Sequence, residues 1–147
     1  MHIMSMTRIA IQLLILATCV GLGKPAFASE RQFHPPGLIT LWDSDEMIEF
    51  EQFRGGIVVV DFFAHWCVPC LAASKSLEEE VQKHYEERSG NPAGHPVHVM
   101  SVNIESNAPA RTRRFITTTG ASLVVNDFEG ELLQQLGGTG IPFLVVL

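Results

Sequence analysis

The chain has 147 residues, enough for one domain with a substantial core. Its 16 acidic against 10 basic residues give a formal net charge of −6, a balance that disfavours nucleic acid and anionic membranes as partners. Three cysteines, Cys19, Cys67 and Cys70, are too few for a disulfide-framework fold.

Met1 to Arg8 is short and positively charged, residues 9–23 (IAIQLLILATCVGLG) are apolar, and Ala26-Phe27-Ala28 has the small-x-small form of a signal peptidase site. Residues 1–28 therefore read as a signal peptide cleaved after Ala28, and the protein is expected to be periplasmic or otherwise exported. The apolar run, about 15 residues, is shorter than the roughly 20 of a membrane-spanning helix. A membrane anchor is thus the lesser alternative, and membrane contact arises only if the segment stays uncleaved. Cleavage removes Arg8, Lys24 and Cys19 but no acid, leaving 8 basic and 16 acidic residues and a single cysteine pair.

Residues 29–37, with Pro35-Pro36-Gly37, read as a leader or linker, and 38–147 as the folded domain. Segments 38–41 and 47–50 flank the polar Asp43-Ser44-Asp45-Glu46 and predict a β-hairpin. Ile57–Phe63 (IVVVDFF) predicts a strand covered on both faces. A helix is predicted from Cys67 to about Arg88, with Leu71, Ser74, Leu77, Val81 and Tyr85 along one side. The Gly- and Pro-rich residues 89–96 end it, and 97–104 predicts a second buried strand. Ser106 or Asn107 is expected to cap a helix through Thr119, with Pro109 in its first turn. A short strand at 121–125, a short helix at 129–136 and an apolar strand at 141–147 complete an α/β sandwich with a central mixed sheet. Because the sequence stops within that apolar strand, the chain is expected to be a truncated piece of a longer protein.

Trp66-Cys67-Val68-Pro69-Cys70 follows the buried strand directly and opens the long helix. Helix N-termini present free N–H groups and a positive dipole end, which favour a thiolate, the form that attacks disulfides. A Cys-X-X-Cys pair beside a βαβ pattern reads as a redox motif. A purely structural disulfide spanning two residues would close almost no loop and constrain the unfolded chain weakly. Cys67, in the first turn, is expected to be the exposed nucleophile, and Cys70, one turn further in, the resolving thiol. Pro69 needs no N–H in the first turn and fixes the ring geometry. Asp61, embedded among valines and phenylalanines, should have a raised pKa through desolvation and so serve as a proton acceptor for Cys70. His65, two residues before Cys67, is a candidate for tuning the thiolate. Arg111, Arg113 and Arg114 are expected to form a solvated helix face.

Residues 60–70 (VDFFAHWCVPC) resemble the active-site stretch of thioredoxin-fold proteins, and Gly140-Ile141-Pro142 resembles their cis-proline segment. Cys70 and Pro142 lie 72 positions apart, further than in thioredoxin itself. The extra strand–helix unit at 97–120, with the leading hairpin, resembles the exported TlpA/ResA-like branch, which includes reductases of cytochrome c maturation. The resemblance implies a three-layer thioredoxin-like sandwich with an extra strand–helix insert, lacking here the family's final strand and helix. It also implies that Pro142 is cis, beside the cysteines, leaving the Ile141 backbone to pair with a substrate peptide. Trp66 and Pro69 join Ile141 as expected substrate contacts, and Glu105 resembles an acid that ResA-like proteins place near the active site. Asp61 stands where thioredoxin has its buried acid.

The expected activity is therefore exported thiol–disulfide exchange, most of all reduction of protein disulfides. The partners are exported protein thiols and disulfides and an upstream thiol electron donor. No external cofactor and no metal is expected, the cysteine pair being the redox group. Two alternatives remain open. A disulfide-forming oxidase shares fold and motif, with potentials that differ by about 150 mV between the extremes. A non-catalytic copper module, as in Sco-like proteins, would draw on the two thiolates with His95 or His98 as a third ligand, although Sco-like proteins space their cysteines by three residues.

Overall fold

The structure, a computed structural model, describes residues 37–147. The expected signal peptide and the leader before Gly37 lie outside the described residues. Leu38–Thr40 (β1) and Met47–Glu49 (β2) pair antiparallel as the predicted hairpin, with Ile39 opposite Ile48. A single 3₁₀ turn, Phe50–Phe53, leads into β3 (Ile57–Phe63).

Strand periodicity sends alternate side chains of β3 to opposite faces, and both faces are covered. Val58, Val60 and Phe62 enter an apolar cluster with Ile39, Phe50, Met100, Val102 and Leu132. Val59 packs with Val97 and Val99 on the other face, and Phe63 with Phe115 and the two cysteines.

Beyond the cysteines, α1 (Val68–Ser76) runs on through a π-helical stretch, Leu77–Gln82, into a last turn, α2 (Lys83–Glu86). The sequence predicts one regular helix here; the widened π stretch is the difference. Glu78, within that stretch, is buried and accepts hydrogen bonds from Ser122 N at 3.2 Å and Ser122 Oγ at 3.3 Å. Gln82 Oε1 accepts the Val99 N–H at 2.7 Å, satisfying a strand donor beyond the reach of the next strand.

The loop after α2 turns on Gly90, at φ +124°, where an added Cβ would stand 2.6 Å from the backbone oxygen of His95. Gly90→Ala is therefore expected to lower stability by about 1–3 kcal/mol, read as a lower urea midpoint. An unchanged midpoint would mean the loop adopts another path.

The second half supplies β4 (Val97–Asn103), α3 (Pro109–Thr119), β5 (Val124–Asn126), α4 (Glu131–Gln135) and β6 (Phe143–Val146). The sheet order is β5-β4-β3-β6, parallel except for the antiparallel β3–β6 pair. The hairpin, the 3₁₀ turn and α4 cover one face, and α1 to α3 the other, giving the three layers expected. β6 lies at the sheet edge, with Phe143 and Val145 against the core and Leu144 and Val146 exposed.

Two local expectations are corrected. Neither Ser106 nor Asn107 caps α3. Ala108, in the left-handed region at φ 67°, precedes it, because Pro109 at the helix start disfavours a right-handed helical residue before it. The strand expected at 121–125 is shorter and starts later, as β5 (Val124–Asn126), since Ser122 is drawn toward Glu78 rather than into the ladder.

Candidate active site

The N-terminal end of α1 is built by its first residues. Cys67 is the N-cap, with extended backbone angles, and its Sγ accepts the Cys70 N–H at 3.3 Å. Pro69 sits in the first turn, where no intrahelical N–H is required. Cys67 and Cys70 form a disulfide with Cα atoms 5.2 Å apart. One donor of the helix terminus thus already points at the Cys67 sulfur, where a negative charge is favoured.

Burial corrects one expectation. Cys67 is not an exposed residue: in the disulfide state it is 4% exposed and Cys70 0%, both packed with Phe63, Phe115 and Val124. The exposed parts of the motif are Val68 at 79% and Trp66 at 59%. An apolar rim therefore surrounds a covered redox pair.

Beneath the pair, Asp61 faces α1 from the middle of β3. It is 1% exposed, and its Oδ2 accepts a 2.5 Å hydrogen bond from Ser74 Oγ. Its Oδ1 is buried without a partner. Burial pushes the Asp61 carboxyl up to about 6, against the opposing pull of the Ser74 hydrogen bond. Ser74 lies one helical turn after Cys70, and both are buried on the face that meets β3. The carboxyl is therefore bonded to α1 one turn beyond Cys70. The sequence marks Ser74 only as one residue of the helix face. A polar residue four positions after Cys70 on the buried face was the available signal.

The other expected residues divide around this centre. The Ile141–Pro142 peptide is cis, as expected. Ile141 packs against the cluster that holds the cysteines and lies outside the β3–β6 ladder, which begins at Phe62↔Phe143. Glu105 holds Trp66 rather than the sulfurs: its Oε2 accepts the indole N–H at 3.0 Å and its Oε1 the Asn107 N–H at 2.9 Å. The Asn107 and Trp66 hydrogen bonds, with His65 nearby, hold the Glu105 carboxyl below its ordinary range. His65 is half-buried, with Nδ1 buried and unpartnered, and lines a groove of about 330 Å³ with Leu71, Arg111, Arg114, Phe115 and Thr118.

The three arginines are all exposed, as expected, but they are not equivalent. Arg113 makes a bidentate pair with Asp43 at 2.7 Å and stands 5.0 Å over the Trp42 ring. The proposed third copper ligands lie elsewhere. His98 aligns with Val58, at the opposite end of β3 from the cysteines, and edges onto Phe53. His95 Nδ1 bonds the Gly55 carbonyl at 3.0 Å. Neither histidine is placed to join the cysteine pair.

No family model matches the sequence. The fold resembles the thioredoxin domain of a thiol-disulfide oxidoreductase from Bacteroides vulgatus, with 13% identity, a TM-score of 0.62, and 79% of each chain covered. A secreted Mycobacterium tuberculosis disulfide oxidoreductase, homologous to E. coli DsbE, matches over 82% of this chain and 86% of its own, at 15% identity and a TM-score of 0.57. A thioredoxin-like protein from Aeropyrum pernix matches over 75% and 73%, at 20% identity and a TM-score of 0.57. The element order, the mixed sheet and these likenesses agree, and the chain has the thioredoxin-like fold.

Proposed function

We propose that this protein is an exported thiol–disulfide oxidoreductase that reduces disulfides in other exported proteins. The observation that carries the reading is the cysteine pair itself: Cys67 caps α1 and receives a helix N–H, while Cys70 is fully buried one turn on, above Asp61. The Cys67 thiolate attacks a substrate disulfide, forms a mixed disulfide and expels the first substrate thiolate, which takes a proton from solvent. Cys70 then loses its proton to Asp61 and attacks Cys67 Sγ, releasing the second substrate thiolate. Two electrons have passed to the substrate, and the Cys67–Cys70 disulfide is returned to the dithiol by an upstream thiol donor.

The reducing direction rests on local charge. Val68-Pro69 places no cation between the cysteines, and the acid beneath them opposes accumulation of thiolate. Apocytochrome c, implied by the TlpA/ResA resemblance, is the first substrate to try. Export rests on the sequence pattern of residues 1–28. The reduction potential of the pair, measured against a glutathione buffer, is expected near the thioredoxin end of the range, about −270 mV, and a value above about −150 mV overturns the assignment in favour of an oxidase.

A further inference from the structure

We propose that the groove beside the cysteines is a docking site for an acidic segment of the partner protein, flanking the cysteine that exchanges with Cys67. The inference rests on the redox reading above for its partner and on independent observations for its chemistry.

The groove is lined by His65, Leu71, Arg111, Arg114, Phe115 and Thr118, and measures about 330 Å³. Its floor is apolar. Phe115 is 4% exposed and stacks on Phe63 at 4.4 Å, and both pack in the cluster that contains Cys67 and Cys70. The groove floor is therefore packed on the core that holds the redox pair, and two of its lining residues flank the motif in sequence, His65 two residues before Cys67 and Leu71 directly after Cys70.

Its rim is cationic on a protein that is acidic elsewhere. The chain carries 16 acidic residues, yet none lies in α1 (VPCLAASKS) or α3 (PARTRRFITTT), the helices that supply Leu71 and the four α3 residues of the groove. Arg111 and Arg114, three positions apart, rise on the same side of α3. Arg113 is taken by Asp43 and Trp42. Among the described residues the Arg111 and Arg114 guanidinium groups have no ion-pair or hydrogen-bond partner. Two free guanidinium forks above an apolar floor match carboxylates spaced along a peptide with an apolar residue between them.

The test uses short peptides with one cysteine activated as its thionitrobenzoate disulfide, flanked either by Asp and Glu or by Asn and Gln. Attack by reduced Cys67 on the peptide sulfur expels coloured thionitrobenzoate, and Cys70 then releases the peptide thiol. The acid-flanked peptide is expected to react about 10-fold faster at low salt, an advantage that shrinks in about 0.5 M salt as the charges are screened. The Arg111→Gln/Arg114→Gln variant is expected to bring the two peptides within about twofold, leaving the rate for the Asn/Gln peptide unchanged. Equal rates for the two peptides with the unaltered protein overturn the proposal, as does a preference that the double variant retains.

A cysteine-free version of the acidic peptide, followed by fluorescence anisotropy, separates this proposal from the redox reading. Binding that is lost in the double variant, with no exchange on either peptide, removes the redox reading and leaves the groove standing. Sedimentation velocity supplies the remaining outcome. A dimer that the double variant dissociates assigns the surface to a second copy and overturns the acidic-partner proposal.

Discussion

Cys70→Ala is expected to accumulate a covalent mixed disulfide between Cys67 and its substrate, whereas Cys67→Ala forms none. The asymmetry follows from position. Cys67 Sγ lies at the N-terminus of α1 and already accepts the Cys70 N–H at 3.3 Å. A thiolate there gains about 0.3–1 kcal/mol from the helix terminus, and up to about 2 kcal/mol where partly buried. Both cysteines are buried in the disulfide state, Cys70 fully and one turn further into α1, so the terminal Cys67 is the one expected to meet an incoming disulfide once the pair is reduced. Removing Cys67 should lower insulin reduction by at least about 1,000-fold, since no second group supplies the nucleophile. Removing Cys70 should abolish multiple turnover but spare the first attack. Non-reducing electrophoresis of Cys70→Ala with oxidised substrate, followed by peptide mapping, reads the trapped bond. A crosslink through Cys70 in the Cys67→Ala protein, or full turnover by Cys70→Ala, would reverse the assigned order.

What the chain disclosed of itself depended on range. β3 was legible because seven consecutive residues carry the pattern of a doubly buried strand, and the cysteine pair because its motif lies within five residues. Ile141–Pro142 was legible through a motif of three residues. The long-range polar links left no such trace. Ser122 meets Glu78 across 44 positions, Glu105 meets Trp66 across 39, and Asp43 meets Arg113 across 70. Read locally, none of these residues names its partner, not even Trp66 and Glu105, which the family resemblance singles out; only the packing of the helices on the sheet pairs them. The same applies to the arginines of α3. Their helical spacing was visible, but one is withdrawn by the hairpin and two are left beside the redox pair. The burial of Cys67 was missed because the motif marks chemistry, whereas cover comes from Phe115 and Val124 of later elements.

Asp61→Asn is expected to stabilise the protein at pH 7 while slowing its turnover. Burial raises the Asp61 carboxyl to about 6 in the folded protein, above the value near 3.9 of an unfolded chain. The folded state thus holds the proton more tightly. The associated stability is fully present below about pH 4, declines as pH rises through about 6, and is constant above that. A rise from about 3.9 to about 6 corresponds to about 3 kcal/mol, and relaxation around the charge makes about 1–3 kcal/mol the expected gain for the neutral isostere. Urea unfolding between pH 4 and pH 8 should show a falling midpoint in the unaltered protein and a flatter profile in Asp61→Asn. Ser74→Ala sharpens the assignment. The hydroxyl lowers the Asp61 pKa, so its loss should move the inflection above pH 6 without removing it. At pH 7 the carboxylate is the majority form, about nine-tenths, and is ready to receive the Cys70 proton. Its replacement by an amide should slow release of the mixed disulfide by about 10- to 100-fold while leaving the first attack by Cys67 little changed. Stopped-flow measurement separates the two steps. A unchanged release rate with a flattened stability profile would leave Asp61 a buried acid without a catalytic part, whereas slowing of both phases alike would place its effect on Cys67 instead.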